Sequence, residues 1–215
     1  MSQFLPGKPF HPASGVRFIL ASSSPRRKAM LTDLGLIFTS LPAKNEEALP
    51  EHGETGHDFA KRASFEKAAS VFKNLPQPIS DSLALLAADT VVCVDNIIMG
   101  KPANAGGALD MLRLLNGKTH IVHTAITLFI LKNGEFSTEN FAESTRVEFA
   151  EWPDAVLAAY ARGEEPLDKA GGYAIQGCGA FLIKGIVGSW SNVVGLPLER
   201  LTQTLLAQQL IVPAE

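Results

Sequence analysis

The segment VRFILASSSPRRKAML, residues 16–31, changes from a strand pattern to a helix pattern within a few residues. Its apolar start, at residues 16–20, is typical of a short buried strand. Ser24 is a favourable N-cap, and Pro25 then takes the first helical position, where its missing N–H costs nothing. The segment therefore predicts a strand, a serine loop and a helix N-terminus, where unpaired N–H groups and the helix dipole concentrate positive charge.

Three basic residues, Arg26, Arg27 and Lys28, follow the cap directly. Cations in the first turn oppose the helix dipole, so a purely structural helix would sooner carry Asp or Glu there. We therefore expect an anionic ligand at this helix N-terminus, and a phosphate chain is the obvious candidate. The alternative is an ordinary capped surface helix with solvated arginines, and the residues alone do not decide between the two.

Composition favours a soluble globular protein. The chain has 215 residues, of which 46% are hydrophobic, so it is long enough to bury a full core. A formal net charge of −3 argues against general nucleic-acid binding. Cys93 and Cys178 lie far apart, as expected for reduced thiols. Because the sequence shows neither a signal-peptide pattern nor an apolar run of the ~20 residues that a membrane span needs, we expect a cytoplasmic protein without a membrane partner.

Strand and helix patterns alternate along the rest of the chain. Strands are predicted at 36–41, 83–88, 91–94, 97–99, 121–131, 136–149 and 180–186. Helices are predicted at 58–74, 105–115, 153–162 and 197–211. Turn signals at Asp95-Asn96 and at residues 132–134 predict antiparallel pairs, so we expect an α/β fold with a mixed sheet. Residues 1–15 are predicted to be a flexible N-terminal extension and residues 16–215 a single domain.

Three places outside the serine loop carry residues suited to chemistry. Asp89 follows an apolar strand directly, and is either a structural cap or a catalytic base or metal ligand. Lys101 lies in a Gly-Lys-Pro turn, and contacts a ligand or is simply a solvated lysine. The segment KAGGYAIQGCG at 169–179 is too rich in glycine for regular structure, and its backbone N–H groups are expected to reach a phosphate or a base.

Several other sites are excluded by spacing. His120 and His123 are three residues apart on a predicted strand, so they point to opposite faces and are poor zinc partners. Gly117-Lys118-Thr119 ends like a P-loop, but the required earlier glycine is absent. Neither a G-x-S-x-G nor an H-E-x-x-H motif occurs.

Together the remaining polar residues suit a triphosphate. Those able to neutralise a polyphosphate are Ser22, Ser23, Ser24, Arg26, Arg27, Lys101 and Lys169. The carboxylates of Asp89, Glu46 and Glu47 are suited to hold Mg²⁺ or Mn²⁺ and to orient a water. Cations alone would make a nucleotide binder, whereas cations combined with acids make a hydrolase.

Four blocks of the sequence resemble the Maf family of nucleoside triphosphate pyrophosphatases, also called septum-formation inhibitors. The blocks are LASSSPRRKAML at 20–31, AADTVVCVDNIIMGKP at 87–102, GKTHIVHTAITL at 117–128 and EPLDKAGGYAIQGCGAFLIKGIVGSWSNVVGLPL at 165–198. The resemblance implies a fold like that of the inosine triphosphate pyrophosphatases, an elongated and bent mixed sheet flanked by helices, with two lobes and a central cleft. It also implies that a nucleoside triphosphate is hydrolysed to the monophosphate and pyrophosphate with Mg²⁺ or Mn²⁺.

The resemblance also implies roles for individual residues. The catalytic acid falls on Asp89, and the acidic pair on Glu46 and Glu47, which are preceded here by Lys44-Asn45 in place of the family's pattern. The phosphate loop and the functional lysines fall on Ser24, Pro25, Arg26, Arg27, Lys67, Lys101 and Lys169.

Specificity is implied by three positions, Arg26, Thr90 and Gln176. This trio is similar to the branch of the family that acts on dTTP and UTP, whereas the branch acting on 7-methyl-GTP typically carries Trp, Gln and Glu. The expected function is therefore a dTTP and UTP pyrophosphatase that also takes modified pyrimidine nucleotides. The alternative is a nucleotide-binding regulator of cell division without turnover. The sequence leaves open whether the chain forms a homodimer.

Overall fold

A computed structural model describes residues 7–44, 48–76 and 82–214. In these ranges the helices are α1 (Pro25–Leu34), α2 (Gly56–Lys73), α3 (Ala105–Leu115), α4 (Asp154–Ala161), α5 (Trp190–Val194) and α6 (Leu198–Ala207). The strands are β1 (Phe10–Pro12), β2 (Arg17–Leu20), β3 (Phe38–Ser40), β4 (Ser82–Val94), β5 (Ile97–Met99), β6 (Thr119–Lys132), β7 (Glu135–Phe149), β8 (Ile183–Val187) and β9 (Ile211–Pro213). Short 3₁₀ turns cover Glu165–Asp168, Ala170–Gly172 and Gly177–Leu182.

The main sheet contains both parallel and antiparallel strands. Its order is β3-β2-β4-β6-β7-β8, and β5 pairs with β4. β2 runs parallel to β3 and to β4, whereas β4, β6, β7 and β8 are joined by antiparallel pairs. The prediction of an α/β fold with a mixed sheet flanked by helices is therefore confirmed. No helix in the described ranges has the length and apolar character needed to cross a membrane.

The 13-residue strand β4 runs through both halves of the core. Near its start, Leu86 packs in a cluster with Leu20 and Leu201, which belong to β2 and α6. Near its end, Val92 packs in a second cluster with residues of α3 and α4. Asp89 faces the other side of the sheet, between Ala87 and Val91, which pack in two further clusters with residues of α2. Its register partner is Ala125 of β6. The expectation that Asp89 stands at the end of a strand is wrong, because β6 extends the hydrogen-bonded ladder past Asp89 as far as Cys93.

Both predicted hairpins are present. Asp95 and Asn96, with φ of 49° and 65°, turn the chain between β4 and β5. Asn133 and Gly134, with φ of 53° and 80°, join β6 to β7 in the same way. Two successive residues with positive φ give a turn whose twist matches the flanking strands, and Asn and Gly adopt that conformation most readily.

The two ends of the chain meet in a second, two-stranded sheet. Within the segment 1–15, which the sequence predicts to be flexible, β1 pairs antiparallel with β9, so that Phe10 lies opposite Pro213. The helix predicted at 197–211 ends earlier, at Ala207, because Gln209 adopts a φ of 54° and β9 follows. β1 and β9 have only three residues each, which are too few to show a strand pattern in the sequence.

Two further differences concern the stretch before the last helix. The strand predicted at 180–186 begins only at Ile183, because a 3₁₀ turn over Gly177–Leu182 precedes it. The helix α5 was not predicted, since five residues are too few to show a helical period. Ser189 caps α5 by accepting a hydrogen bond from Asn192 N at 3.2 Å.

Candidate active site

A cleft of about 610 Å³ opens alongside the middle of β4. It is lined by twelve of the predicted site residues: Ser22, Ser23, Ser24, Pro25, Arg26, Arg27, Lys67, Asp89, Thr90, Lys101, Lys169 and Gln176. The fold therefore brings together residues that five separate stretches of the sequence contribute. Glu46 and Glu47, the other predicted site residues, lie outside the described residues.

The serine loop and the N-terminus of α1 form one wall of the cleft. Ser24 is the N-cap, and its hydroxyl accepts a hydrogen bond from Arg27 N at 3.4 Å, while Pro25 takes the first helical position. Ser22 is buried, and its hydroxyl accepts from Ser24 N at 3.2 Å. The predicted strand, loop and capped helix are thus confirmed, and the first turn of α1 carries no acidic residue.

Arg27 ties this wall to two other parts of the chain. Its Nε donates to the carbonyl oxygen of Gly195 at 2.8 Å, and its Nη2 donates to the hydroxyl of Thr90 at 2.9 Å. Its Nη1 lies 3.3 Å from the hydroxyl of Ser22. Because a guanidinium presents its donors in a fixed fork, these contacts orient Thr90 as well as Arg27. The hydroxyl of Thr90 also pairs with that of Thr124 at 3.0 Å.

Two of the predicted phosphate-binding cations share the carboxylate of Asp168, which no sequence motif distinguishes. Asp168 Oδ2 lies 3.3 Å from Arg26 Nη1, and the Asp168 carboxylate also contacts the ammonium of Lys169. Burial alone would raise the pKa of Asp168, but Lys169 and Arg26 together lower it. Asp168 therefore supplies the negative charge that these two cations would otherwise find in a phosphate.

The turns that carry Lys101 and Lys169 are joined to each other. Gly171 N donates to the carbonyl oxygen of Gly100 at 3.0 Å. Gly171 has a φ of 72°, and an added Cβ would lie 3.1 Å from side-chain atoms of Val92 in β4. The positive φ and this close approach both favour glycine, and they place the turn that follows Lys169 against β4.

Lys67 and Asp89 form an ion pair on that floor. Lys67 projects from α2, and its ammonium contacts Asp89 Oδ1 in the middle of β4. Their side chains are 21% and 14% exposed, so the pair is mostly shielded from solvent but reaches the cleft. A carboxylate and an ammonium in contact at this depth place the predicted catalytic acid beside a fixed positive charge.

The glycine-rich segment uses its N–H groups differently from the prediction. The backbone N–H groups of Cys178 and Gly179 donate to the Glu165 carboxylate at 3.0 and 2.8 Å. Two donors that were expected to reach a phosphate or a base are therefore occupied by an internal anion. Glu165 was missed because a carboxylate that binds backbone N–H groups 13 and 14 positions away leaves no pattern in the sequence.

A metal site is not complete within the described ranges. Among these residues, no group of three or more His, Cys, Asp or Glu side chains is placed to hold a metal ion. Asp89 has the oxygen ligand that Mg²⁺ and Mn²⁺ prefer, and its contact within the structure is Lys67. The other two predicted ligands, Glu46 and Glu47, fall in residues 45–47, between the described ranges.

Comparison with known families decides the classification. The family described as Maf-like protein matches residues 17–208, which include every residue lining the cleft. The chain belongs to the Maf family. The strands β1 and β9 both lie outside the region that the Maf family match covers.

Relatives within the Maf family are similar over most of their length. A dTTP/UTP pyrophosphatase of Nitratidesulfovibrio vulgaris is 44% identical over 188 residues, which cover 87% of this chain and 86% of that protein. Proteins of the same name from Syntrophus aciditrophicus and Oleidesulfovibrio alaskensis are each 42% identical. The match to the Syntrophus protein covers 88% of this chain and 88% of that protein. The match to the Oleidesulfovibrio protein covers 91% of this chain and 87% of that protein.

Proposed function

We propose that this chain hydrolyses dTTP and UTP, together with modified pyrimidine nucleotides, to the monophosphate and pyrophosphate. The observation that carries the proposal is the convergence of cations and a paired acid in one cleft. Arg26, Lys101 and Lys169 line the same cleft as the Lys67–Asp89 ion pair. The names of the Maf relatives, which this chain matches over nearly its full length, support the substrate class.

The proposed reaction cleaves the bond between the α-phosphorus and the bridging oxygen to the β-phosphorus. Water attacks the α-phosphorus, Asp89 accepts the proton of that water, and pyrophosphate leaves with the bridging oxygen. Lys101 and Lys169 neutralise the charge that develops on the leaving pyrophosphate, and Arg26 binds the triphosphate at the N-terminus of α1. Lys67 keeps a positive charge next to Asp89 on the floor of the cleft.

Selection of the base is proposed to depend on Gln176 and Thr90. Gln176 lines the cleft, and its amide offers both a donor and an acceptor, which suits the O4 and N3 edge of uracil or thymine. Thr90 is small, and its hydroxyl is held by Arg27. A site that pairs with one base edge through hydrogen bonds rejects a mismatched edge strongly, because its own polar groups are then left unpaired.

We further propose that the reaction requires Mg²⁺ or Mn²⁺, with Asp89, Glu46 and Glu47 as the residues that would hold it. The support is the chemistry of this donor set, which consists of hard carboxylate oxygens. A bound divalent cation would supply charge neutralisation and a more acidic water.

Cys93 and Cys178 are free thiols, which agrees with the expected cytoplasmic location.

The test is to measure products from a panel of nucleotides with Mg²⁺ or Mn²⁺. We expect pyrophosphate and monophosphate from dTTP and UTP, well ahead of ATP, GTP and 7-methyl-GTP. Equal rates across the panel would contradict the pyrimidine specificity, and orthophosphate with diphosphate would contradict attack at the α-phosphorus. Nucleotide binding without pyrophosphate release would favour the regulatory alternative.

A further inference from the structure

We propose that Glu165 and Tyr160 are positioning residues that hold Gln176 in place for selection of the base. The inference rests on the proposed function, because it concerns the selectivity of the same nucleotide site. Neither residue belongs to the set that the family resemblance assigns to the chemistry. Their hydrogen bonds to the main chain on both sides of Gln176 carry the argument.

Downstream of Gln176, the main chain is held by Glu165. The Glu165 Oε1 accepts from Cys178 N at 3.0 Å, and its Oε2 accepts from Gly179 N at 2.8 Å. A carboxylate that accepts two backbone N–H groups makes charge-assisted hydrogen bonds, which are stronger than neutral ones. The turn that begins one residue after Gln176 is therefore held by both oxygens of one side chain.

Upstream of Gln176, the main chain is held by Tyr160. The Tyr160 hydroxyl accepts from Ala174 N at 3.2 Å and donates to Glu165 Oε2 at 2.7 Å. Burial, followed by the hydrogen bond to Glu165, raises the pKa of Tyr160, so the hydroxyl keeps its proton and remains a donor. Tyr160 and Glu165 are thus hydrogen-bonded to each other, and together they bind backbone N–H groups two residues before Gln176 and two and three residues after it.

Gly177 and Gly179 leave the space that these hydrogen bonds require. An added Cβ at Gly177, which has a φ of 76°, would lie 2.2 Å from Glu165 Oε1. An added Cβ at Gly179 would lie 2.4 Å from the Tyr160 hydroxyl and 2.7 Å from the carbonyl oxygen of Ala174. Any residue other than glycine at positions 177 and 179 would therefore keep the Glu165 carboxylate and the Tyr160 hydroxyl from approaching the backbone this closely.

This arrangement matters for selectivity because Gln176 itself is exposed at the cleft. The distance and angle at which the amide meets a base edge are set by the main chain of Gln176, and a loop that shifts would let the amide adapt to a cytosine edge as well as to a uracil edge. Discrimination therefore requires that this main chain be held in one position. The side chain of Gln176 supplies the hydrogen bonds, and Glu165 with Tyr160 supplies their position. A merely structural role would stabilise the loop without altering the choice of base.

The experiment compares kcat/KM for UTP and CTP in Glu165→Gln and Tyr160→Phe. The Gln side chain has a single acceptor oxygen and cannot serve two N–H groups and a hydroxyl, whereas Phe removes only the bridging hydroxyl. We expect the UTP to CTP preference to fall by about tenfold in Glu165→Gln and by less in Tyr160→Phe. Glu148→Gln, whose carboxylate pairs with the exposed Lys184 at 2.6 Å, is the matched control and should keep the preference.

A double variant in the Gln176→Ala background distinguishes a positioning role of Glu165 from a role in stability alone. In Gln176→Ala the preference for UTP should already be reduced, and adding Glu165→Gln should change it no further. A lower melting temperature with the UTP to CTP ratio unchanged in both Glu165→Gln and Tyr160→Phe would overturn the inference. If the unaltered protein hydrolyses neither UTP nor dTTP, it is the proposed function that fails, and the control variant would show the same lack of activity.

Discussion

The ammonium of Lys67 and the carboxylate of Asp89 are in contact, although 21 residues separate them in the sequence and they belong to a helix and a strand. The contact is possible because α2 packs across β4, with buried helix residues against Ala87 on one side of Asp89 and against Val91 on the other. A carboxylate facing a triphosphate would otherwise be repelled by it, so an adjacent cation reduces the cost of placing an acid in this cleft. The pair is therefore the centre of the proposed chemistry.

Replacement of Asp89 by Asn should nearly abolish turnover while preserving the fold. The amide keeps the shape of the side chain but cannot accept a proton from water, and loss of a general base typically costs roughly 10²–10⁴-fold in rate. We expect kcat for dTTP to fall by about 10² or more, with nucleotide affinity retained. Because Asp89 is also proposed to hold the metal, the metal concentration at half-maximal activity should rise as well. An unchanged metal requirement would show that Asp89 acts as the base alone.

Lys67→Met should also lower turnover, and the two effects should not add. Because Lys67 acts beside Asp89, the double variant should be little slower than Asp89→Asn alone, as is usual for residues in direct contact. Lys73→Met, on the exposed face of the last turn of the same helix, is the control and should retain full activity. Fully additive losses would show that Lys67 acts on the substrate independently of Asp89.

Local rules accounted for much of the fold. Ser24, Pro25 and Gly35 mark the start and end of α1 as capping chemistry predicts, and Gly35 closes the helix with a φ of 96°. The Asp95-Asn96 and Asn133-Gly134 turns follow from the conformations that these residues favour. The second sheet could not be predicted, because it joins two three-residue strands about 200 positions apart along the chain.

The composition of the cleft was predictable, but its internal pairing was not. Basic residues in the first turn of α1 indicated an anion site, and the structure places Arg26 and Arg27, though not Lys28, at the cleft. Asp168, Glu165 and Tyr160 carry no signal of their own, since each acts through contacts that only the folded chain creates. The same holds for the contacts of Arg27, which lines the cleft and also orients Thr90.

Buried His120 should make the protein less stable as the pH falls. The ring is 1% exposed, Nε2 pairs with the Tyr173 hydroxyl at 2.6 Å, and Nδ1 has no partner among the described residues. Burial lowers the pKa of His120 from 6.5 to about 4, so between these values the unfolded chain binds a proton that the folded chain does not. Stability is therefore intact above pH 6.5 and declines toward pH 4, by up to about 3 kcal/mol in total from this group.

Urea unfolding at several pH values would test this expectation. His120→Gln keeps a polar partner for Tyr173 but cannot titrate, so its free energy of unfolding should fall less between pH 6.5 and pH 4 than that of the unaltered protein. Other groups contribute equally to both proteins and cancel in the comparison. Parallel pH profiles for the two proteins would contradict a neutral, buried His120.

Phe10→Ala should destabilise the protein without affecting catalysis. Phe10 lies in β1 and packs against the cluster that contains Leu201 and Leu210, and it is not among the residues lining the cleft. We expect a loss of about 1–3 kcal/mol in the free energy of unfolding, less than for a fully buried Phe, with kcat and KM unchanged. Lys8→Ala, which removes an exposed ion pair with Asp33, is the control and should cost under about 1 kcal/mol. No loss in Phe10→Ala would mean that the N-terminal segment behaves as the flexible extension predicted from the sequence.

Arg26 and Arg27 are adjacent, but their replacement by Lys should have different consequences. The Arg27 guanidinium donates to Gly195, Thr90 and Ser22, and an ammonium cannot reproduce this fork. Arg27→Lys should therefore lower the free energy of unfolding by about 1–3 kcal/mol, because partly buried acceptors lose their donors.

Arg26 instead pairs with Asp168, whose side chain is 58% exposed, and exposed ion pairs contribute at most about 1 kcal/mol. Arg26→Lys keeps the charge but loses the planar contact with phosphate, so KM for dTTP should rise by roughly 3–10-fold while stability stays within about 0.5 kcal/mol. Urea unfolding and steady-state kinetics on both variants would check this division. Equal destabilisation by the two substitutions would contradict it, and would mean that Arg27 is no more than a second phosphate ligand.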